Sequence, residues 1–194
     1  MKAIQNYLLR HRRLVLFLLI LFIMGTFTGV FLGISNLETV RPFLVSFIQS
    51  SSKRIPNYVF IHFTLLSLGV ILSCIGIGIP FFFVLFFYEA LGLGFFVSSF
   101  TMIAFLKGFF FSFLFCILTK GFYVIILCFI ISKCIRLPGL ILELKKGGSD
   151  AFLDLKKIFM SISIFLSLML FYDLFLTFLG ESIVSFLSFL LVSL

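Results

Sequence analysis

A long, almost uncharged stretch is the feature that most restricts how this chain can fold. From position 55 to position 106 the one formally charged side chain is Glu89. A helix that spans a bilayer needs about 20 apolar residues, so this stretch is long enough for two such helices. Within lipid the backbone N–H and C=O groups must bond to one another, which restricts spanning structures to helices and closed barrels. Because the apolar runs are continuous rather than alternating, the sequence predicts an all-α integral membrane protein.

Composition and charge distribution favour the same class. Hydrophobic residues make up 62% of the 194 residues and charged residues 11%, whereas roughly a quarter of a soluble domain is charged. The formal net charge is +8, and most Lys and Arg side chains lie in the N-terminal tail and in one later loop. Excess Lys and Arg is typical of cytoplasmic loops, and anionic lipid headgroups attract such residues. We therefore expect these basic residues to contact the lipid bilayer and not to bind nucleic acid.

Apolar runs and turn signals predict a single transmembrane domain over residues 1–194, a bundle of about five helices with a cytoplasmic N-terminus. The predicted spans are 14–34, 58–79, 81–104, 108–133 and 158–179. The region from Lys107 to Lys133 is either one long span or a half-helix and a span, divided at Thr119 to Gly121. The apolar tail 182–194 is too short to cross, so it is expected to re-enter the membrane or lie on its surface.

A short amphipathic helix is predicted between the first two spans. It is too short to cross a bilayer and should lie along the outer interface. Its apolar face has the helical spacing of i, i+3, i+4, i+7 and i+8 at Val40, Phe43, Leu44, Phe47 and Ile48.

Small residues recur at helical spacing along several spans. Gly25, Gly29 and Gly33 follow one another every four residues, which places them on one helical face and lets another backbone approach closely. The pattern extends to other spans, and the predicted packing or partner-interface residues are Gly25, Gly29, Gly33, Gly69, Gly94 and Gly108. The pattern leaves open whether these glycines pack within the chain or against a partner.

Polar side chains inside the spans are the candidate functional residues. An acid at mid-membrane costs on the order of 3 kcal/mol on insertion scales, so Glu89 is expected to face the bundle and pair with a base. Lys120 in the fourth span is the first candidate partner, and Lys107 at the outer mouth is the second. Asp173, beside Tyr172, is predicted to be a polar anchor near a helix end. A structural ion pair, a proton or substrate path, and partner recognition all stay open for Glu89.

No pattern typical of catalysis, of a metal site or of a bound cofactor occurs in the sequence. The two histidines, His11 and His62, lie too far apart for an HExxH zinc site, and neither G-x-S-x-G nor a P-loop is present. The four cysteines form no CxxC pair and lie in or at the end of apolar runs, as buried free thiols do. The sequence predicts a non-enzymatic protein with no metal and no cofactor.

Glycine, proline and aromatic residues form five motifs that together cover nearly the whole chain. They are Met24-Gly25 with Gly29, GIGIPFFF at 76–83, GLGFFV at 92–97, KGFFFSF at 107–113 and LFYD at 170–173. This arrangement resembles the stage II sporulation protein M family. The resemblance implies a non-enzymatic, multi-pass protein of the bacterial cell membrane.

The same resemblance implies a scaffold function. In endospore-forming bacteria the family member holds together secreted, membrane-anchored peptidoglycan hydrolases that remodel the septum during engulfment. Hydrolases of this kind are then the expected partners, and self-association stays open. The residues also leave open a small transport subunit paired with a cytoplasmic ATPase, using Glu89, Lys120 and Lys107 as a polar path. A membrane immunity protein is a third possibility that the composition allows.

Overall fold

The computed structural model describes residues 12–49, 56–146 and 149–192, and these ranges are helical apart from short turns. In chain order the helices are α1 (Arg12–Ser35), α2 (Leu37–Gln49), α3 (Pro56–Ser73), α4 (Gly78–Cys116), a π-turn (Ile117–Gly121), α5 (Phe122–Cys134), α6 (Leu137–Lys145) and α7 (Ser149–Val192). Three apolar helical stretches, Arg12–Ser35, Gly78–Lys145 and Asp150–Gly180, are long enough to cross a membrane. The predicted all-helical class, with apolar helices that could span a bilayer, is confirmed at this level.

The longest apolar stretch folds back on itself at Ala104 and Phe105. Both residues have non-helical dihedral angles, with Phe105 at φ 48° and ψ −131°. Residues 78–103, here the first arm, and residues 106–134, here the second arm, then run antiparallel. Ring centroids of Phe100 and Phe111 lie 5.0 Å apart across the two arms. The boundary that the sequence predicts between spans 81–104 and 108–133 is therefore a chain reversal.

Helix α1 packs against the first arm at very short range. Gly25, Gly29 and Gly33 are all buried on the contact face. A Cβ atom on Gly25 would lie 2.8 Å from the Cβ of Ala90, and one on Gly33 would collide with the Ser98 hydroxyl. Because the residue numbers rise together along both helices, the two run parallel. These three glycines thus serve packing within the chain.

The other predicted glycines also meet neighbouring parts of the same chain. An added Cβ would meet the main chain of Thr26 at Gly94, the rings of Phe81 and Phe82 at Gly69, and the Phe100 carbonyl at Gly108. All six predicted glycines therefore pack against parts of the same chain. Each of them admits a close intrachain contact.

Helix α2 lies against the end of the arms where the chain reverses. Leu44 is 3% exposed and packs with Phe100 and Phe111, whereas Phe43 is 64% exposed. Neighbouring residues in a helix point about 100° apart. The face of α2 that packs against the arms is the one that carries Val40 and Leu44. Phe43 and Leu44, which the sequence places on one apolar face, therefore have different surroundings. The side chains predicted beside them, Phe47 and Ile48, lie outside the described ones.

Helix α7 continues well past the predicted end of the last span. It runs from Ser149 to Val192 without a break at Gly180. The described part of the predicted separate tail is therefore the C-terminal part of α7. Asp173 consequently lies inside a helix and is 8% exposed. Its prediction as a helix-end anchor is wrong.

The main core lies between α3, both arms and α7. Its most deeply buried side chains include Leu66, Phe82, Leu127 and Ile162. Helix α3 enters the first arm through a tight turn in which Gly76 has φ 85°, a conformation that favours glycine. This turn places α3 beside the first arm.

Candidate intramembrane polar site

Four ionisable side chains from four helical segments meet inside the bundle. The Lys120 Nζ on the π-turn donates to the Glu89 Oε2 on the first arm at 2.9 Å. The His62 Nε2 on α3 lies 3.5 Å from the Glu89 Oε1, and its Nδ1 lies 3.8 Å from the Asp173 Oδ2 on α7. We call the series Lys120–Glu89–His62–Asp173 the polar chain.

The polar chain is buried at three of its four members. The side chains of His62, Glu89 and Asp173 are 7%, 6% and 10% exposed, and that of Lys120 is 25% exposed. Buried charges are tolerated when they are paired, and removal of one partner leaves the other strongly unfavourable. Lys120 is therefore the accessible end of the series, and Asp173 belongs to its interior.

Two tyrosines complete the surroundings. The Tyr123 ring packs on the His62 ring with centroids 5.0 Å apart, and the Lys120 Nζ lies 5.3 Å from the same ring centroid. A cation at this distance from an aromatic face is attracted by the ring quadrupole. The Tyr172 hydroxyl donates to the Leu118 carbonyl in the π-turn. Aromatic groups thus hold both the imidazole and the π-turn in place.

The π-turn places Lys120 in this cluster. A π-turn bonds residue i to i+5 and so departs locally from the α-helical rotation; such turns occur often at functional sites. The Thr119 hydroxyl donates to the Phe115 carbonyl at 2.7 Å, and the helix continues as α5 immediately after Gly121. Of the two alternatives open from sequence, a continuous helical path with a π-turn is found, without a division into separate helices at Thr119 to Gly121.

A cavity of about 460 Å³ lies between the two arms, and we call it the arm cavity. Glu89 and Lys120 form its polar part, and Tyr88, which is 66% exposed, lies at its edge. Gly92 also lines it, and a Cβ atom there would meet nothing within 4 Å. The other lining residues are mostly apolar: Leu32, Leu91, Leu93, Phe95, Phe96, Phe115, Cys116 and Thr119.

Three of the residues predicted from sequence meet at this site. The pair of Glu89 and Lys120 that the sequence predicts is present. Lys107 lies at the chain reversal, about 20 Å from Glu89 along the first arm at 1.5 Å per residue, and so does not join the polar chain. Asp173 joins it through His62, which sequence reasoning did not select. The sequence did offer one reason to select His62: besides Glu89 it is the one acidic or basic side chain in the stretch 55–106.

The site can hold and exchange protons and can bind polar groups. Its inner part is a histidine between two carboxylates, and its outer part presents an ammonium group to an otherwise apolar cavity. Such a combination suits a partner or ligand that brings hydrogen-bonding atoms into the bilayer interior. Searches against protein-family models, curated proteins and solved structures found no match for this chain.

Proposed function

We propose that this protein is a membrane scaffold that holds membrane-anchored peptidoglycan hydrolases by docking the transmembrane anchor helix of its partner at the arm cavity. The observation that carries this proposal is the cavity itself, a recess of about 460 Å³ with the Glu89–Lys120 pair in its wall. The motif resemblance supports the partner class. The proposed activity is association, with no chemical reaction of the scaffold itself.

The chemistry of the arm cavity supports a helical occupant. Helices in lipid associate through small residues, which allow close approach, and through polar side chains that bond across the contact. Gly92 offers open space for an approaching backbone, and Thr119 adds a small polar residue. The partly exposed Lys120 ammonium can donate to a side chain of the incoming helix. The proposed occupant is thus an anchor helix with a hydrogen-bond acceptor near its middle.

The other surfaces considered from sequence support a partner less well. Gly25, Gly29 and Gly33 contact the first arm, so substituting them would disturb the scaffold's own fold. Helix α2 uses Leu44 against the arms and leaves Phe43 exposed. A docking site at the arm cavity leaves these contacts in place and includes Gly92, where an added Cβ would meet nothing within 4 Å.

The proposal includes a topology. We place the chain in the bacterial cell membrane with five crossings and a cytoplasmic N-terminus. The parallel course of α1 and the first arm supports this, because the second crossing must then lie between them. The basic segment 133–157 contains six Lys or Arg residues and follows the second arm, on the side where α1 begins. Helix α2 and the chain reversal at Phe105 then share the outer side.

A photo-crosslinking experiment tests the docking site. A photoreactive amino acid replaces Tyr88 at the cavity edge, and, as the control, Ile71 on α3; both positions are 66% exposed. Irradiated native membranes should yield a membrane-anchored cell-wall hydrolase from position 88 and not from position 71. Identification by mass spectrometry gives the partner directly.

A matched pair of substitutions asks whether the cavity is required. Gly92→Leu fills it, and Gly139→Leu makes the same change on α6; an added Cβ meets nothing within 4 Å at either position. Gly92→Leu should abolish the cross-link, and Gly139→Leu should leave it intact. Equal products from positions 88 and 71, or a cross-link that survives Gly92→Leu, would overturn the proposal.

One observation favours a second candidate, a small transport subunit paired with a cytoplasmic ATPase. The polar chain of four ionisable residues is more extensive than a simple structural ion pair requires. Transporters place ionisable groups and interrupted helices near the bilayer midplane. Recovery of a cytoplasmic ATPase with no hydrolase in the same experiment would favour this function.

A further inference from the structure

The polar chain has a feature that the Glu89–Lys120 pair does not explain: a histidine lies between two carboxylates. The two ring nitrogens of His62 face different acids, with 3.5 Å to the Glu89 Oε1 and 3.8 Å to the Asp173 Oδ2. Lys120 and Tyr123 face the same cluster from the second arm, and Tyr172 lies next to Asp173 on α7. Each ring nitrogen thus faces a carboxylate oxygen at ion-pair distance, and the Nδ1 makes no hydrogen bond with the described residues. A doubly protonated imidazole is a donor at both nitrogens, which suits a position between two carboxylates.

Charge counting points the same way. Two carboxylates contribute −2 and Lys120 contributes +1, while His62 is charged only when it is protonated. With a neutral imidazole the four side chains sum to −1, and with one further proton they sum to zero. The tyrosines add no charge as phenols. Because uncompensated charge is unfavourable in a bilayer interior, the state with the additional proton is the favoured one.

We propose that the polar chain is a proton-binding site, in which one exchangeable proton resides at His62 and is shared with Glu89 and Asp173. The imidazole lies within 4 Å of both carboxylates, so the proton belongs to the cluster and not to one residue. This site stands whether or not the protein is a scaffold, because it follows from the four side chains alone.

The arm cavity is the route by which the proton reaches the cluster. Glu89 lines the cavity and contacts His62, so it connects the recess to the buried imidazole. Lys120 lies at the same wall and is the most exposed member of the polar chain. Asp173 is not among the cavity residues and forms the inner end. Protons therefore enter at Glu89 and pass to His62.

Nitrogen NMR of histidine tests the proton directly, because the chain has two histidines. In a His11→Gln protein labelled with ¹⁵N-histidine and embedded in lipid nanodiscs, the signals of the imidazole report His62 alone. At neutral pH both ring nitrogens should be protonated. In Glu89→Gln or Asp173→Asn the charges balance without the additional proton, and the ring should be neutral. A neutral ring in the His11→Gln protein itself overturns the proposal, even if the carboxyl variants fail to fold.

Hydrogen–deuterium exchange at the same nitrogens tests the route. Gly92→Leu fills the arm cavity and should slow exchange on the order of tenfold, the effect of a modest added barrier. Gly139→Leu, outside the cavity, should exchange like the His11→Gln protein. Equal exchange rates in the two leucine variants would overturn entry through the cavity. Neither readout requires a hydrolase, so failure here is distinct from failure of the scaffold.

Discussion

At the scale of single residues, Lys120 and Glu89 differ in how each tolerates the loss of its partner. Both side chains line the arm cavity, but that of Glu89 is only 6% exposed, whereas that of Lys120 is 25% exposed. A charge left alone in a buried site costs several kcal/mol. The acid therefore depends on the base more than the base depends on the acid.

We accordingly predict that Lys120→Met destabilises the protein more than Glu89→Gln does. The expected loss for Lys120→Met is about 3 kcal/mol, because it leaves two carboxylates with one histidine. The measurement is the free energy of unfolding in detergent micelles or bicelles. Lys107→Met removes a lysine outside the polar chain and serves as the matched control, with a smaller expected loss.

A double variant tests whether Glu89 and Lys120 are directly coupled. Glu89→Gln combined with Lys120→Met leaves His62 with Asp173, a pair that is neutral when the histidine is protonated. It should recover part of the stability lost in Lys120→Met, as coupled neighbours do in a double-mutant cycle. Strictly additive losses would contradict a direct coupling between Glu89 and Lys120.

The ion pair was predictable from sequence, and the remainder of the polar chain was not. Lys120 is the one basic side chain within the apolar part of the neighbouring span, so Glu89 had few candidate partners. His62 and Asp173 required the rotation of α3 and the length of α7. Neither quantity is encoded in local periodicity, because both helices are apolar on most of their surface.

At the scale of helices, the contact between α1 and the first arm depends on the absence of a side chain at Gly29. A Cβ atom there would lie 2.8 Å from the Phe95 backbone nitrogen. We predict that Gly29→Ala costs about 2 kcal/mol, because two backbones must move apart to admit one methyl group. The thermal midpoint of the purified protein in detergent measures the loss.

Gly92→Ala is the control for the same chemical change. The added methyl group has no neighbour within 4 Å beyond its own helical turn, and alanine is preferred to glycine in helices by about 0.5–1 kcal/mol. This variant should be neutral or slightly stabilised. A Gly29→Ala protein as stable as Gly92→Ala would contradict the close parallel packing of the two helices.

Helix packing was predictable to a limited extent for a physical reason. Glycine spacing identifies a face that admits close approach, and all six glycines were selected on that ground. The partner of a glycine face is not specified, since any backbone fits a flat groove. Helix ends were harder still: Gly180 and Glu181 read as a terminus, yet α7 passes through both.

At the scale of the whole molecule, the proposed topology places two turns on opposite sides of the membrane. Asn36 follows α1 and Lys146 follows α6, and both side chains are exposed. With the native cysteines replaced, we predict that Asn36→Cys reacts with a membrane-impermeant maleimide in intact cells. Lys146→Cys should react only after permeabilisation. The reverse pattern would invert the orientation, and labelling of both in intact cells would contradict the odd number of crossings between them.

The π-turn makes the polar chain depend on the number of residues as well as on their identity. A regular α-helix rotates about 100° per residue. If one residue were deleted between Cys116 and Lys120, the turn would relax into an α-helix, because a π-turn holds one residue more per turn than an α-helix does. The helices on either side would keep nearly the same register, but Lys120, inside the turn, would change its angular position. The acid, the base and the histidine would all still be encoded, yet Lys120 would no longer be directed at Glu89. For this chain a single-codon deletion is thus a change of site geometry.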